Sequence, residues 1–217
     1  MRNEMTEMNT GPEGDTTVET KGKPLTKKAL ETRQRLIRAT IQQIAEKGYH
    51  NITADEIAKA CGMSTGSAYR YFKNKKEMLL AAIEYSFANI RTVSGTEDSR
   101  LLQFERMEDM LAYALDQFYL LHKKYYAIHE EIESLRHIDA DVKALYDGIT
   151  EKAVEGLIEK CPEQMQALPH LKERLYVAIG ILDHYAHLQM DEDRCRGLDM
   201  EQMKKLSIEA AVAVIGG

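Results

Sequence analysis

Residues 52–78 concentrate small hydroxyl side chains, tyrosines and cations. The run Ser64–Ala68 has small side chains, which would let the start of a helix lie deep in a DNA groove. Tyr69–Tyr71 follow with hydrogen-bond donors and flat rings. Cations that suit phosphates come next, at Lys73, Lys75 and Lys76. These residue types in this order favour contact with duplex DNA.

Helix signals surround this segment. Thr53 and Glu56 have the spacing of a capping box, which predicts the start of a helix. Gly62 follows where a tight turn would need a residue without a Cβ. A supporting helix is expected over residues 26–47, ending at Gly48, and Ser64 is expected to cap a further helix through about residue 72. The result is a helix-turn-helix pattern, although such short helix pairs also occur as plain structure.

The charge distribution agrees with a DNA-facing segment. The whole chain of 217 residues has a net charge of −6, which by itself argues against a protein that coats nucleic acid. Residues 22–80, however, carry twelve basic and five acidic side chains, a net charge of +7. Residues 81–217 carry −10 and residues 1–21 carry −3. Solvated helix faces could produce such a division by accident, but it favours two modules with different partners.

The remaining sequence predicts an all-α protein of about nine helices. Residues 1–25 are polar and lack apolar periodicity, so they are expected to form a disordered arm. Residues 26–80 are expected to form a three-helix helix-turn-helix domain, and residues 81–217 a ligand-binding and dimerisation bundle. The later helices are predicted at 75–91, 101 to a break near Lys123–Lys124, 125–134, 139–161, 169–190 and 199–215, with a loop at Ser94–Ser99.

A family resemblance covers about fifty residues of this N-terminal region. It rests on Gly48-Tyr49, Thr53, Asp55-Glu56-Ile57-Ala58, Gly62-Met63-Ser64, Gly66, Tyr69, Tyr71-Phe72, Lys75 and Met78-Leu79. At this spacing the segment resembles the N-terminal signature of tetracycline-repressor (TetR) family regulators. The resemblance implies a dimeric, all-helical repressor that binds palindromic operator DNA and is released by a small-molecule effector. Cys61 departs from the family pattern, which usually has alanine there, and is interpreted as a small buried residue.

The resemblance also implies individual roles at the DNA. Thr53 and Lys75 would hold backbone phosphates, and Tyr69 and Tyr71 would touch the backbone. The residues expected to face the groove are Ser64, Thr65, Gly66, Ser67 and Arg70.

Two apolar stripes near the C-terminus predict a dimer interface. One lies on the helix expected at 169–190 and the other on the last helix, so that two subunits would form a four-helix seam. Its members are Leu175, Ala178, Ile179, Leu182, Met203, Leu206, Ala210 and Val214. The alternative is that the stripes line the core of a single subunit.

Aromatic and imidazole side chains are frequent in residues 113–146 and predict a pocket for an amphipathic or aromatic effector. The candidate lining residues are Tyr113, Phe118, Tyr119, His122, Tyr126, His129, Tyr146 and His184. The alternative is that most of them are ordinary core or surface residues, since tyrosine packs in many environments.

Other functions have weaker support in the sequence. His184 and His187 share a helix face and could bind one metal ion, and a cysteine could sense redox state, but neither pattern is specific. No catalytic motif is present, so we expect neither an enzyme nor a cofactor nor a resident metal. The longest apolar run, residues 175–182, is too short to span a membrane, and a cytoplasmic location is expected. The remaining alternative is a helical ligand-binding or enzymatic protein whose N-terminal helix pair is only structural.

Overall fold

The computed structural model describes residues 19–20, 23–24, 26–93 and 104–217, apart from the side chains of 19, 20, 23, 24, 89–93, 121, 122, 124, 125 and 127. Nine α-helices and one 3₁₀ helix make up almost all of this part. The α-helices are α1 (Lys27–Lys47), α2 (Ala54–Ala60), α3 (Thr65–Ala68), α4 (Lys75–Val93), α5 (Met107–Arg136), α6 (Ala140–Lys160), α7 (Glu163–Gln166), α8 (Leu171–Met190) and α9 (Met200–Gly216). The 3₁₀ helix, Tyr49–Asn51, lies between α1 and α2. The all-α prediction is confirmed.

The prediction of a helix break near Lys123–Lys124 is wrong. Helix α5 continues without interruption for 30 residues. Its sequence contains neither glycine nor proline, and lysine is a good helix former, so nothing in the backbone chemistry ends the helix there. A short helix that was not predicted, α7, keeps the number of described α-helices at nine.

Two further boundaries differ from the sequence prediction. Helix α8 begins at Leu171 rather than at Pro169, because His170 adopts a left-handed conformation with φ 59° just before it. Helix α3 spans four residues and is followed by a turn, so it is shorter than the predicted 64–72. The predicted loop at Ser94–Ser99 lies outside the described residues.

The predicted N-terminal arm is described only in part. Strand β1 (Glu19–Thr20) pairs antiparallel with β2 (Lys23–Pro24), with Thr20 opposite Lys23. Residues 1–18, 21, 22 and 25 lie outside the description, so the prediction of a disordered arm stays a prediction.

Two apolar cores organise the helices. The first core holds α1 to α4 together with the C-terminal half of α5 and the start of α6, and includes Leu36, Ile57, Leu79 and Ile132. The second core joins the N-terminal half of α5 and the end of α6 to α8 and α9, and includes Leu115. Helix α5 therefore contributes to both cores and connects the N-terminal helices to the C-terminal hairpin.

Candidate nucleic-acid interface

The start of α2 is fixed by the capping box that the sequence predicts. The hydroxyl of Thr53 accepts a hydrogen bond from the Glu56 backbone N–H at 3.2 Å. The Glu56 carboxylate in turn accepts from the Thr53 backbone N–H at 2.8 Å and from its hydroxyl at 2.9 Å. Lys47, at the end of α1, places its ammonium 3.1 Å from the same carboxylate. Thr53 is exposed, so it remains at the surface beside α3.

The turn between α2 and α3 is held from α1. Gly62 has φ 68°, a left-handed conformation that favours glycine, as the sequence predicts. The Arg35 guanidinium donates a 2.7 Å hydrogen bond to the carbonyl of Cys61, and the Cys61 thiol lies 3.4 Å from the carbonyl of Arg35. Cys61 is buried, and burial raises the pKa of its thiol, so the thiol stays protonated. The prediction that Cys61 is a small buried residue is confirmed.

Helix α3 is tied to α2 at one position and open to solvent at others. The Thr65 hydroxyl donates a short hydrogen bond to the Asp55 carboxylate. Ser64 caps the helix, accepting from the Ser67 backbone N–H at 3.3 Å, and the two hydroxyls are 2.9 Å apart. Gly66 is exposed and has no heavy atom within 4 Å of where a Cβ would lie. The predicted groove-facing residues thus lie together, but the Thr65 hydroxyl already has a partner.

Two large donors follow α3 at the surface. Tyr69 is 49% exposed and Arg70 is exposed as well. Tyr71, by contrast, is half-buried and packs against the first core, so much of its ring is used inside the domain. Lys73 is exposed and its ammonium lies 3.3 Å from the Glu77 carboxylate. The surface formed by Thr53, Ser64, Gly66, Ser67, Tyr69, Arg70 and Lys73 is called the α3 surface below.

Lys75 contacts backbone carbonyls within the subunit. Its ammonium donates to the carbonyls of Tyr49 and Ile52, both at 2.9 Å, and lies 4.2 Å from the centre of the Tyr49 ring. Burial lowers the pKa of Lys75. Two of the three donors of this ammonium are therefore used inside the subunit. The geometry assigns Lys75 to the connection between α1 and α2.

Lys76 is also paired inside the subunit. Its ammonium lies 3.0 Å from the Asp139 carboxylate and 2.5 Å from that of Asp141, both at the start of α6. Of the three lysines predicted to bind phosphates, Lys75 and Lys76 have partners within the subunit. Lys73 is the one that lies on the α3 surface.

The predicted effector-binding residues do not share one environment. Phe118 packs against the second core, and Tyr146 packs against the first. His129 is buried, whereas Tyr126 and His184 are exposed. Tyr113 lies with its ring centre 5.4 Å from that of Phe104, and Tyr119 is half-buried. The side chain of His122 lies outside the described residues.

A histidine pair that the pocket prediction missed lies between α5 and α8. The Nε2 atoms of His129 and His187 are 2.6 Å apart. Nδ1 of His187 lies 2.8 Å from the Asp183 carbonyl and 3.4 Å from its carboxylate. The hydrogen bond with Asp183 is the main reason that the pKa of His187 rises to about 9. The three-residue spacing of His184 and His187 did not predict this pair. His184 is exposed, and the partner of His187 is His129 on another helix.

The described residues give no metal centre and no membrane span. Among the side chains that the structure describes, no three of His, Cys, Asp or Glu are arranged to hold a metal ion. Burial raises the pKa of Cys161 as it does that of Cys61. None of the described helices combines the length and the apolar character needed to cross a bilayer.

The predicted dimer residues fall into two groups. Leu175 and Ala178 are buried in the second core, and Ile179, Leu182 and Met203 are half-buried against it. Leu206 and Ala210 are exposed, and Val214 is half-buried. Tyr176, Val177 and Gly180 lie on the exposed side of α8. The predicted stripe therefore has members on both the core side and the exposed side of the hairpin, and the dimer interface stays a prediction.

This geometry defines the class of the molecule, an all-helical protein with an N-terminal helix-turn-helix domain and a C-terminal helical bundle. Residues 36–82 match the family model described as bacterial regulatory proteins, tetR family. The helix-turn-helix region of the chain is therefore similar to that of tetR-family regulatory proteins.

Individual proteins similar to this chain carry the names of transcriptional regulators. The chain is 49% identical over 51 residues to the transcriptional regulator AcuR of Cereibacter sphaeroides, covering 24% of this chain and 23% of that protein. The chain spans about a quarter or less of the length of such curated relatives. A TetR-family regulator structure from Streptomyces coelicolor matches with TM-score 0.65 and 18% identity, covering 86% of this chain and 82% of the other.

A third relative was solved with a small molecule. This transcriptional regulator from Saccharomonospora viridis, in complex with choline, matches with TM-score 0.61 and 17% identity, over 85% of this chain and 96% of the other. At such identities the likeness of the solved structures shows the fold alone.

Proposed function

We propose that this chain is a ligand-responsive transcriptional regulator, a repressor that binds palindromic operator DNA as a homodimer. The observation that carries the proposal is the α3 surface. It exposes Gly66 on a short helix, and Tyr69 and Arg70 just after that helix, and contacts of Thr65 and Arg35 hold the region in place. Proteins of this architecture place the second helix of the pair in the major groove.

The side chains of the α3 surface suit different parts of the duplex. The Arg70 guanidinium has donors in a planar fork that matches a guanine edge or a phosphate. Ser64 and Ser67 are small enough to let the backbone approach the bases. Thr53, Tyr69 and Lys73 lie where they would meet sugar-phosphate backbone, a contact that sets register rather than sequence preference.

A homodimer would bring two α3 surfaces to the same duplex. The support is an apolar face that remains exposed on α8 and α9. Val177 is 53% exposed and Leu206 is 50% exposed, with Tyr176, Gly180 and Ala210 also at the surface. Small residues such as Gly180 and Ala210 allow close approach of helices across a two-fold axis. This interface would include Leu206, Ala210 and Val214 from the predicted set and would exclude Leu175 and Ala178.

The effector would bind in the C-terminal bundle. The part of α5 that faces α8 carries His129, and Phe118 and Tyr119 lie two to three turns earlier. Aromatic side chains with a few polar groups suit an amphipathic or aromatic organic molecule.

Release would follow from a population shift. The dimer would exchange between one spacing of its α3 helices that fits successive major grooves and another that does not. An effector that prefers the second state lowers operator affinity by its difference in binding free energy between the two states. Helix α4 would transmit the change, because it begins beside the α3 surface and its residues Met78, Leu79 and Ile83 are buried in the first core.

The proposal is tested by selecting duplexes from a random-sequence DNA library with the full chain at moderate salt. We expect enrichment of a palindrome whose half-sites are separated by about one helical turn. Binding of the enriched duplex should weaken steeply as salt rises, because phosphate contacts release counterions. If no sequence is enriched and random duplex is not bound even at low salt, the helix pair is only structural and the proposal fails.

A further inference from the structure

The backbone of Tyr49 is held at both its N–H and its carbonyl. Its N–H donates a 2.7 Å hydrogen bond to the carboxylate of Glu131, which lies 82 residues later on α5. Its carbonyl accepts from the ammonium of Lys75 at 2.9 Å. Both contacts are partly buried, and a hydrogen bond to an ionised group is stronger than one between neutral groups.

Helix α1 ends two residues before Tyr49. Gly48 closes α1 with its own N–H bonded to the Ile44 carbonyl at 2.7 Å. Gly48 has φ 76° and ψ 152°, so the chain leaves the helix direction at this residue. A side chain here would be strained by the positive φ. The next N–H, that of Tyr49, is the one that Glu131 binds.

The backbone of Tyr49 is connected to the α3 surface through a short series of contacts. Lys75 also binds the Ile52 carbonyl, one residue before Thr53. Thr53 caps α2, and α2 carries the Asp55 carboxylate that binds Thr65 of α3. A displacement of Tyr49 would therefore move the start of α2 and, with it, α3.

Glu131 is also connected to the interior of the bundle. His129, two residues earlier on α5, has its Nε2 atom 2.6 Å from that of His187 on α8. Residues two apart on a helix lie about 200° apart around its axis, on nearly opposite sides. Helix α5 thus contacts α8 with one side and the connection between α1 and α2 with the other.

We propose that Glu131 is a positioning residue. By binding the backbone N–H of Tyr49 it fixes the helix-turn-helix domain to the bundle, and it transmits movement of α5 to α3. The proposal rests on the proposed DNA-binding function and adds a regulatory connection to it. The Glu131 contact reaches Tyr49 from α5, whereas the Lys75 contact reaches it from α4. Lys76 is bound to Asp139 and Asp141 and holds α4 to the start of α6.

Four variants of the full chain separate the contact from the charge. Glu131→Ala removes the acceptor, and Glu131→Asp keeps the charge but shortens the side chain by one methylene. Glu131→Gln keeps an acceptor oxygen without the charge. Glu130→Ala is the matched control, since it removes the same charge from an adjacent exposed position on α5.

The first readout is hydrogen exchange at the Tyr49 amide, measured without DNA. We expect Glu131→Ala and Glu131→Asp to speed this exchange by about tenfold or more, because local opening no longer breaks a charge-assisted bond. Glu131→Gln should restore most of the protection, and Glu130→Ala should match the parent. Exchange at Tyr49 that is unchanged in Glu131→Ala and Glu131→Asp would overturn the proposal.

The second readout is affinity for the duplex that the parent selects. Glu131→Ala and Glu131→Asp should weaken binding by about three- to tenfold with an unchanged salt slope, since no phosphate contact is lost. Glu131→Gln should bind nearly as the parent does. Faster exchange without weaker binding would reduce Glu131 to a structural role and overturn the positioning claim. A parent that selects no duplex would instead refute the proposed function, while Tyr49 exchange would still decide whether the contact holds the two modules together.

Discussion

The ammonium of Lys75 lies 2.9 Å from the carbonyl oxygen of Tyr49 and 4.2 Å from the centre of its ring. The flexible side chain of Lys75 places its charge over the ring of Tyr49, two residues after the end of α1. A cation at the start of α4 thus satisfies backbone carbonyls inside the domain, where the sequence suggested a phosphate contact.

Replacing this cation should cost stability. Lys75→Met keeps an apolar stem but leaves the Tyr49 and Ile52 carbonyls without their donor. We expect the free energy of unfolding to fall by about 1 to 3 kcal/mol, the cost of unsatisfied buried acceptors. Urea unfolding monitored by circular dichroism measures the change. Lys73→Met, at an exposed position on the same turn, should change it by less than about 0.5 kcal/mol. If the two variants were equally stable, the carbonyl contacts of Lys75 would not stabilise the domain. Lys75 would then again be a candidate for phosphate binding.

Arg70 should carry sequence preference. Arg70→Ala removes the only planar fork among the residues of the α3 surface, so affinity for the selected duplex should fall by roughly tenfold to a hundredfold. Affinity for random duplex should fall much less. Fluorescence anisotropy with both duplexes measures the ratio. Arg196→Ala, which removes an exposed arginine between α8 and α9, is the control and should leave both affinities unchanged. A parallel loss on both duplexes for Arg70→Ala would assign this arginine to phosphate contact.

The exposed face of α8 and α9 should decide the oligomeric state. Leu206→Asp introduces a charge in the centre of the proposed seam, where it would have to be buried without a partner. We expect the variant to sediment as a monomer, or with a dimer dissociation constant raised by at least about a hundredfold. Leu120→Asp is a matched control, because Leu120 is 56% exposed on α5. A dimer that tolerates Leu206→Asp as well as it tolerates Leu120→Asp would place the interface elsewhere.

His187 should make stability depend on pH. Its pKa of about 9 in the folded chain lies above the ordinary value of 6.5, mainly because of the hydrogen bond with Asp183. A raised folded pKa stabilises the folded state fully below about pH 6.5, and that contribution is lost as the pH rises toward 9. A doubly protonated His187 donates from Nδ1 to Asp183 and from Nε2 to His129.

The measurement is the free energy of unfolding of the parent and of His187→Gln between pH 6 and pH 10. The difference between them should shrink by roughly 1 to 3 kcal/mol across this range. His184→Gln, one turn away on the exposed side of α8, controls for the loss of an imidazole from this helix. A constant difference between the parent and His187→Gln would mean that folding does not raise the pKa of His187.

Local sequence signals predicted the helix-turn-helix domain well. A capping box such as Thr53 and Glu56, and a left-handed glycine such as Gly62, depend on neighbours within a few residues, which the sequence displays directly. The contacts of Glu131 and Lys75 join residues 82 and 26 positions away, and no local pattern announces them.

The C-terminal bundle was predicted less accurately for a related reason. Helix α8 is apolar on the side of the second core and again on its exposed side, so periodicity alone could not separate Leu175 from Val177. Lys123 and Lys124 were interpreted as the end of a helix, although lysine does not interrupt a helix as proline does.

The hydrogen bond between Thr65 and Asp55 has a consequence for retargeting this protein to new DNA. It separates the positions that anchor α3 from the positions in and just after the helix that are available for variation. A library built at Gly66, Tyr69 and Arg70 would sample new duplex preferences while Thr65 and the buried Ala68 keep the helix seated. Grafting a whole α3 from another regulator would discard the anchor, so such a graft should carry Asp55 and its partner together.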